Sequence, residues 1–531
     1  MPKRKPVVLI ADKLSQSTVE ILGTDVEVRW VDGTDRDALL EAIPEADALL
    51  VRSATKVDKE VLDAAVNLQI VGRAGVGLDN VDVETATAKG IMVANAPTSN
   101  IHSACEHALA LLLSTARQIP AADKTLRDGE WKRSKFKGVE IYGKVIGIVG
   151  FGHIGQLFAE RIAAFGVDEI LAYDPYANPA RAAQLGVELV PIRDLMERSD
   201  FVTIHLPKTP ETERMFDREL LSCAKQGQIL INAARGGLVD EQALADAINE
   251  GRIRGAGFDV YATEPCTDSP LFALPETVVT PHLGASTYEA QDRAGSDVAD
   301  SVLMALAGEL VPDAVNVPGG RPSQEVSDWL NLSRKLGLIA SAVLDKATTT
   351  VEIVARGEIS HENIEPLGLS ALRGIFSRVV DEDVSFVNVS RIAKERNVTV
   401  STYTEPQARS YRSTLEVTVI AADGSKYSAK GALTGIDKEE RIITLGRRPL
   451  DLHATGKNII LRYEDHPGAI GKAGSRLGAT GINILAAAMS IDRDSSDATL
   501  VLRVDGEVPP ETLEDCAESL KATAAVIDLG R

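Results

Sequence analysis

The sequence is short of cysteine and contains no long apolar run, and each shortage excludes a class of protein. The four cysteines stand far apart without CxxC spacing, which argues against a disulfide scaffold and a thiolate metal site; they are Cys105, Cys223, Cys266 and Cys516. The apolar run VVLIA near the N-terminus is much shorter than a secretory signal or a membrane span. We therefore expect reduced thiols, no metal site, no membrane partner and a cytoplasmic location.

Positive charge is also scarce, with 57 basic residues against 77 acidic ones and a formal net charge of −20 at pH 7. A surface of this sign repels the phosphates of nucleic acids, so no nucleic-acid partner is expected, and an anionic ligand needs a local basic pocket. The contents of 44 % hydrophobic and 25 % charged residues are ordinary for globular proteins. Because 531 residues exceed what one hydrophobic core organises, we expect several domains.

Apolar runs divide the chain into stretches with different patterns. Short apolar runs alternate with helical stretches up to about residue 98 and again from KVIGIVGFGHIG onward, which predicts two parallel sheets covered by helices. Between them, the pattern predicts one long helix over residues 103–131, in which His107 is expected to be a packed structural histidine. The segment VPGGRPSQ at residues 317–324 marks a boundary before longer strands, and from about residue 456 the order βαββαβ is ferredoxin-like.

A glycine-rich motif, GFGHIG at residues 150–155, follows the apolar strand KVIGIV and opens a helix. In that context Gly150 suits the tight turn, Gly152 the approach to a pyrophosphate, and Gly155 the contact between helix and strand. The next strand ends in Asp174, whose carboxylate can accept hydrogen bonds from ribose hydroxyls and repel a 2′-phosphate. The sequence therefore predicts a dinucleotide site that prefers NAD to NADP.

Three charged residues stand just past predicted strand ends of the same domain: Arg235 in INAARGG, Glu264 in DVYATEP and His282 in TPHLG. Ligands bind at this edge of open α/β sheets, so the three side chains can converge. Hydride transfer to or from a 2-hydroxy acid needs a base for the hydroxyl proton, a carboxylate that orients the base, and a cation for the substrate carboxylate. Histidine, glutamate and arginine suit these roles.

The segments INAARGGLVDEQAL, GAGFDVYATEP, TPHLGAST, VGRAGVGLDNVD and VGFGHIGQ resemble signatures of the D-isomer-specific 2-hydroxyacid dehydrogenases over roughly residues 5–318. The resemblance implies that Arg235 binds the substrate carboxylate, Glu264 orients His282, and His282 accepts or donates the proton. It implies a Rossmann-like nucleotide domain inserted into a flavodoxin-like substrate domain. Backbone amides of Val76 and Gly77 would bind the carboxylate. Further cofactor contacts implied are His153, Ile154, Leu206, Pro207, Ala233, Ala234, Asp259, Gly284 and Ala285.

The substrate is expected to carry a phosphate, because Arg52 and Ser53 stand at a strand end and GEWKRSKF concentrates basic residues in an acidic protein. The basic stretch alone also suits a solvated surface. The Arg-Ser pair, Asn100 in NAPTSN and Arg133 after Trp131 resemble the family members that act on 3-phosphoglycerate. In those members the basic side chain reaches a neighbouring subunit's site, so we expect a homo-oligomer, a tetramer.

The last stretch, with DHPGAIGK before its first helix and GINI before its second strand, resembles an ACT domain, a small-molecule sensor. The resemblance implies an L-serine site at Tyr463, Asp465, Gly468 and Asn483. The preceding α+β stretch resembles the intervening domain of the longer family members, and its arginines Arg441, Arg447 and Arg448 either hold an anion or lie on the surface. The expected domains are 1–98 with 287–318 (substrate), 99–286 (NAD), 319–454 (intervening, allosteric) and 455–531 (ACT).

Two other functions fit parts of this pattern. One is a different 2-hydroxyacid dehydrogenase, such as a glyoxylate or hydroxypyruvate reductase, although Arg52, Arg133 and the ACT-like tail argue against it. The other is a non-catalytic NAD-sensing corepressor on the same fold, which the joint presence of Arg235, Glu264 and His282 disfavours. The leading expectation is NAD-dependent oxidation of 3-phosphoglycerate at the start of serine synthesis, with feedback by serine.

Overall fold

The computed structural model describes residues 4–380, 384–491 and 497–530, and these residues form four β-sheets. Residues 1 and 531, the outer limits of the first and last expected domains, lie outside the described residues. Where the four expected domains begin and end stays a prediction.

The first sheet has the strand order β2-β1-β3-β4-β5 and is parallel throughout, which is the flavodoxin-like order. Its strands β1, β3 and β5 are buried along their whole length, as apolar runs in a covered parallel sheet should be. The strands are β1 (Val7–Ile10), β2 (Glu27–Trp30), β3 (Ala48–Val51), β4 (Ile70–Arg73) and β5 (Met92–Asn95); the helices are α1 (Gln16–Leu22), α2 (Arg36–Ala42), α3 (Lys59–Ala64) and α4 (Val83–Ala88).

Two helices, α5 (Ile101–Arg117) and α6 (Ile119–Arg127), occupy the region where the sequence pattern predicted one long helix. That prediction was wrong. Gln118 between them adopts a left-handed conformation with φ of 53°, and α6 begins with Ile119 and Pro120. Proline has no N–H to donate back along a helix and its ring collides with the preceding turn, so the chain breaks here.

The second sheet has the order β12-β11-β10-β9-β6-β7-β8, again all parallel, which is Rossmann-like with an added strand. The chain reverses direction across the sheet between β6 and β9, so the crevice for a ligand opens at their carboxyl ends. The strands are β6 (Val145–Val149), β7 (Glu169–Tyr173), β8 (Val187–Leu189), β9 (Phe201–Ile204), β10 (Gln228–Asn232), β11 (Ile253–Phe258) and β12 (Thr277–Val279); the helices are α7 (His153–Ala163), α8 (Pro179–Gln184), α9 (Ile192–Arg198), α10 (Arg218–Ser222) and α11 (Glu241–Asn249).

Helix α12 (Tyr288–Leu306) returns the chain to the first sheet and packs against β4. A Cβ atom added at Gly72 in β4 would lie 3.4 Å from Val298 and 3.6 Å from Val302 of this helix. The helices α5 and α12 therefore connect the two parallel sheets.

The third sheet is mixed, with the order β14-β13-β15-β16-β17-β18, and only the pair β13 and β14 is parallel. Helices α13 and α14 pack against each other beside this sheet, which gives the expected α+β architecture. The strands are β13 (Thr348–Gly357), β14 (Thr399–Glu405), β15 (Ser413–Ala421), β16 (Lys426–Thr434), β17 (Glu439–Leu445) and β18 (Arg448–His453); the helices are α13 (Gln324–Leu344), α14 (Glu365–Phe376) and α15 (Val389–Glu395).

The fourth sheet is antiparallel with the order β20-β21-β19-β22 and carries two helices on one face. Its other face contributes Ile460 and Val501 to the apolar cluster of the third sheet. The elements are β19 (Lys457–Glu464), α16 (Ala469–Ala479), β20 (Asn483–Ile491), β21 (Asp497–Asp505), α17 (Pro510–Leu520) and β22 (Thr523–Asp528). These four sheets confirm the predicted fold class, including the flavodoxin-like, Rossmann-like and ferredoxin-like βαββαβ units.

Candidate active site

The glycine-rich loop forms a cradle at the carboxyl end of β6. Gly150 has φ of 96°, and a Cβ atom there would lie 2.5 Å from the His205 carbonyl oxygen, so only glycine fits this turn. A Cβ atom at Gly155 would lie 2.2 Å from the Gly150 carbonyl oxygen, which is the close helix-to-strand contact that the motif needs. Gly152 faces open space and immediately precedes α7 with His153 and Ile154. The cradle fits a pyrophosphate at a helix N-terminus.

Asp174 follows β7 and braces the glycine-rich loop. Its Oδ2 accepts a hydrogen bond of 2.8 Å from the Phe151 amide, and its Oδ1 accepts one of 2.9 Å from the Tyr176 amide. The carboxylate is thereby fixed beside the loop, where the motif places a ribose. The other predicted cofactor residues follow strand ends of the same sheet edge: Leu206 and Pro207 after β9, Ala233 and Ala234 after β10, Asp259 after β11, and Gly284 and Ala285 after β12.

His282 and Glu264 form a hydrogen-bonded pair at this edge, with 2.6 Å between His282 Nδ1 and Glu264 Oε2. The second carboxylate oxygen, Oε1, accepts a hydrogen bond of 3.0 Å from the Tyr261 amide. Because an ionised carboxylate only accepts, Nδ1 carries the proton and Nε2 is left to exchange a proton with a ligand. Both side chains are partly exposed, so a ligand in the cleft can reach the ring.

The backbone around His282 is held by Asp259. His282 has φ of 56°, and its amide donates a hydrogen bond of 2.8 Å to the Asp259 carbonyl oxygen. The buried Asp259 carboxylate accepts hydrogen bonds from the amides of Leu283 at 2.7 Å and Gly284 at 2.8 Å. Burial alone would raise the pKa of Asp259, but hydrogen bonds from His107, Thr280 and the Leu283 amide outweigh it and hold the pKa below its usual value.

Arg235 reaches from β10 across the cleft to the first sheet. A Cβ atom added at Gly77 would lie 3.1 Å from Arg235 Nη2, so the guanidinium lies against the loop that follows β4. That loop is fixed by Asn95, which donates a hydrogen bond of 2.6 Å to the Val76 carbonyl oxygen. The structure thus places Arg235 against Gly77, next to Val76, and their role in binding a carboxylate stays a prediction.

Arg73, at the end of β4, is a residue that the sequence reasoning missed. Burial and then repulsion from Arg235 lower the pKa of Arg73 to about 10; the nearby carboxylates of Asp79 and Asp12 oppose this shift, and Arg52 adds to it. Its Nε is buried without a hydrogen-bond partner among the described residues, and its guanidinium folds against Gly75. A buried cation with an unpaired N–H favours an anionic ligand. The sequence feature that could have indicated it is the position of this arginine inside VGRAGVGLDNVD, a segment that resembles the dehydrogenase family.

Arg52 and Ser53 follow β3 and line a cavity of about 550 Å³ at the edge of the first sheet. The backbone of Arg52 is fixed, since its amide donates to Asp12 Oδ2 at 2.6 Å and its carbonyl accepts from Asn80 at 2.7 Å. Asn100 precedes α5, and its side chain makes no capping hydrogen bond to that helix. Arg133 lies in a short exposed turn, and no contact among the described residues joins it to these groups.

Comparison with known proteins agrees with this geometry. Family models match three stretches: "D-isomer specific 2-hydroxyacid dehydrogenase, NAD binding domain" at residues 109–284, "D-3-phosphoglycerate dehydrogenase intervening domain" at 325–446 and "ACT domain" at 457–516. The chain is 58 % identical over 525 residues to D-3-phosphoglycerate dehydrogenase of Mycobacterium tuberculosis, an alignment that covers 99 % of each chain. This chain belongs to the D-3-phosphoglycerate dehydrogenase family.

Other comparisons with the D-3-phosphoglycerate dehydrogenase family and its fold agree. The family member of Methanocaldococcus jannaschii is 38 % identical over 514 residues, covering 96 % of this chain and 97 % of its own. Among solved structures, the TT0316 protein from Thermus thermophilus superposes with a TM-score of 0.54 at 33 % identity, over 58 % of this chain and 99 % of its own. That structure therefore matches little more than half of this chain, while the mycobacterial relative matches nearly all of it. The family's NAD-binding domain agrees with the glycine cradle.

In this member of the D-3-phosphoglycerate dehydrogenase family, the predicted effector residues divide into two groups. Tyr463 is buried in β19, with its hydroxyl 3.4 Å from the Met489 sulfur, while Asp465 follows β19 and Gly468 immediately precedes α16. Asn483 begins β20, which runs in the same direction as β19, so it lies at the opposite end of the sheet from Asp465, about 25 Å away at roughly 3.3 Å per residue. One chain does not bring these residues together.

No described helix, whether in residues 4–380, 384–491 or 497–530, has the length and apolar character to cross a membrane. All four cysteines are free thiols.

Proposed function

We propose that the protein oxidises 3-phospho-D-glycerate to 3-phosphohydroxypyruvate with NAD, the opening step of L-serine synthesis. The observation that carries this proposal is the 2.6 Å pair of His282 and Glu264 at the sheet edge. Membership in the D-3-phosphoglycerate dehydrogenase family supports the choice of substrate. The free cysteines support a reducing cytoplasm as its location.

Each group at the cleft has a task in this reaction. NAD, held by the glycine cradle and Asp174, supplies the hydride acceptor when bound. His282 Nε2 takes the C2 hydroxyl proton while the C2 hydrogen leaves with its electron pair, so that the C2 carbonyl forms. Glu264 stabilises the imidazolium that results. Arg235 and the backbone amides of Val76 and Gly77 bind the substrate carboxylate and orient C2.

The substrate phosphate is proposed to lie toward the first sheet, against Arg52, Ser53 and Asn100. Arg73 supports this placement, because its buried guanidinium adds positive charge between Arg52 and Arg235 and its Nε has no hydrogen-bond partner among the described residues. Arg133 would complete the phosphate site from a second copy of the chain. Trp131 beside it is 82 % exposed, as an anchor at a subunit interface would be in a single chain, and we propose a homotetramer.

A second candidate function is glyoxylate or hydroxypyruvate reduction. The chain is 27 % identical to a glyoxylate reductase from Paecilomyes thermophila, with a TM-score of 0.54 over 59 % of this chain. That similarity leaves the remainder of this chain unmatched. The other alternative, an NAD-sensing corepressor, has no need for the hydrogen-bonded His282 and Glu264, which therefore favour an enzyme.

L-Serine is proposed to bind the ACT domain between two subunits. Asp465 and the N-terminus of α16 at Gly468 would come from one subunit, and Asn483 from the other, because one chain places them at opposite ends of the sheet. The carboxylate of Asp465 suits the serine ammonium, the amide of Asn483 suits its hydroxyl, and helix N–H groups suit its carboxylate.

NADH absorbance measured with 3-phosphoglycerate and NAD, with and without serine, tests the proposal. We expect turnover that serine lowers, and a loss of turnover of about 100-fold or more in His282→Ala while NAD still binds. His361→Ala, an exposed histidine of the third-sheet region, is the matched control and should retain wild-type turnover. Reduction of glyoxylate without oxidation of 3-phosphoglycerate would favour the reductase, and near-normal turnover of His282→Ala would remove His282 from the mechanism.

A further inference from the structure

His107 lies on α5, outside the groups that the proposed reaction uses, and contacts the turn that carries His282. Its Nε2 lies 3.1 Å from Asp259 Oδ1 and 3.0 Å from Thr280 Oγ1, and the side chain is 19 % exposed. His107 and Thr280 are 173 residues apart in the chain, so the contact is made only by the fold. The structure therefore gives His107 polar contacts as well as packing.

The direction of these hydrogen bonds follows from the groups around them. The Thr280 hydroxyl has one proton and lies 2.6 Å from Asp259 Oδ1, with the Phe258 carbonyl oxygen at 3.4 Å as its other neighbour. Both of these oxygens only accept, so the Thr280 oxygen is an acceptor toward His107. Nε2 of His107 therefore carries a hydrogen and donates it to Thr280 and Asp259.

Asp259 needs such support because it holds the conformation of the catalytic turn. The left-handed backbone of His282 is disfavoured for a residue with a Cβ atom, and the surrounding hydrogen bonds must maintain it. Asp259 accepts three of these bonds: its carbonyl oxygen accepts from the His282 amide, and its carboxylate accepts from the amides of Leu283 and Gly284. A rotation of the carboxylate would release two of them at once.

Helix α5 is the element that brings His107 to this place. The helix begins after Asn100, in the substrate site, and makes a second contact with the same segment, in which Ser103 Oγ lies 2.7 Å from Thr287 Oγ1. The helix thus connects the substrate site to both ends of the segment 280–287.

We infer that His107 is a positioning residue for the dehydrogenase reaction, which holds Asp259 so that the His282 imidazole stays aligned with the substrate. The inference rests on the proposed function for the reaction, but His107 contacts neither the substrate nor the transferred proton. Its contribution should therefore appear in the rate of the chemical step and not in substrate binding.

Three variants of the full-length protein test this inference: His107→Leu, His107→Gln and His102→Leu. Leucine removes the donor, while glutamine places an amide N–H near the position of Nε2. His102, an exposed histidine of the same helix that contacts Arg161, is the matched control. We expect kcat of His107→Leu to fall about 10-fold, the effect of losing one hydrogen bond to a charged group, with the KM for 3-phosphoglycerate within about 2-fold of wild type. His107→Gln should recover most of kcat, and His102→Leu should match wild type.

Thr280→Val provides the second measurement, because Thr280 and His107 act on the same carboxylate oxygen. The double variant His107→Leu with Thr280→Val should lose less kcat than the product of the two single losses. Unchanged kcat in His107→Leu would overturn the inference. So would a matched loss of kcat and of affinity for 3-phosphoglycerate that glutamine does not rescue, since that result indicates only structural damage. Should the wild type prefer glyoxylate, the proposed function fails, and the same kcat ratios measured with glyoxylate still decide the role of His107.

Discussion

The substitution Glu264→Gln isolates the charge that the structure places beside His282. Glu264 accepts from His282 Nδ1 at 2.6 Å and from the Tyr261 amide at 3.0 Å, and a glutamine oxygen can accept either of these bonds. The glutamine oxygen can accept only one of the two bonds, because an NH2 group takes the place of the other carboxylate oxygen. With the oxygen facing Nδ1, the shape of the site and the tautomer of His282 are retained and the negative charge is removed, at the cost of the bond from the Tyr261 amide. The variant consequently tests how much Glu264 stabilises the imidazolium formed during oxidation.

The size of the effect follows from the geometry. Two unit charges about 4 Å apart attract each other by roughly 4 kcal/mol at an effective dielectric constant of about 20, and by roughly 1 kcal/mol in water. Because the His282 side chain is 48 % exposed, water screens the pair and a value between these limits applies. About 2 kcal/mol of lost transition-state stabilisation corresponds to roughly a 30-fold lower kcat.

The assay is NADH formation from 3-phosphoglycerate, measured in parallel with substrate deuterated at C2. The deuterium isotope effect shows whether hydride transfer limits turnover in each protein, which is needed because product release limits many dehydrogenase reactions. Glu276→Gln, an exposed glutamate of the same sheet region, is the control. A kcat of Glu264→Gln within about 3-fold of wild type, with a full isotope effect in both, would refute the electrostatic role, since the lost charge would then cost less than 1 kcal/mol.

Three further predictions follow from the same structure. Asp174→Ala should narrow the preference for NAD over NADP in kcat/KM, because the carboxylate opposes a 2′-phosphate. It should also raise the KM for NAD, because the carboxylate holds the Phe151 amide of the glycine-rich loop. Equal use of both cofactors by the wild type would contradict this assignment. Arg73→Met should raise the KM for 3-phosphoglycerate by about 10-fold and raise the melting temperature of the free protein, since it removes a buried cation whose pKa burial lowers to about 10; an unchanged KM would remove Arg73 from the substrate site. Asp465→Ala and Asn483→Ala should each abolish serine inhibition without changing the uninhibited rate. Oligomers that pair an Asp465→Ala subunit with an Asn483→Ala subunit should regain part of the inhibition, because one of the two sites in such a pair then contains both native residues. A site formed within one chain would not recover, since each chain lacks one of its residues.

Much of the fold could be predicted from the sequence because buried parallel strands are short apolar runs. The strands VVLI and ALLV are buried at every position, so their apolar character needs no knowledge of their neighbours. The strand β14, TVSTYTE, was not predicted, because it lies at the edge of the third sheet, is largely exposed and contains few apolar residues. The break at Gln118 could have been inferred from Pro120, but the continuous helical pattern on either side concealed it.

The candidate site was predictable where a motif carries its own geometry. The spacing of GFGHIG fixes which glycine needs a positive φ and which one contacts the strand, and the structure shows both features. The roles of the site residues themselves stay predictions. Arg73 and His107 could not be assigned, because an arginine at a strand end and a histidine in an apolar helix have many ordinary uses. Only their neighbours, Arg235 for the first and Asp259 for the second, distinguish them, and those neighbours are distant in sequence.

If serine binds as proposed, the direction of β19 and β20 determines how it regulates activity. Since β19 and β20 run the same way, Asp465 and Asn483 of one chain point to different ends of the sheet, and an effector that uses both must join two chains. Such an effector favours whichever arrangement of subunits forms the joint site, and it lowers activity only if that arrangement is the less active one. One apolar cluster contains Val501 of the fourth sheet, Trp329 of α13 and Val302 of α12, so packed side chains join the fourth sheet to the helix that covers the first. Deleting everything after about residue 318 would expose this cluster as well as remove the effector site, so the point variants in the ACT domain are the cleaner test of the coupling.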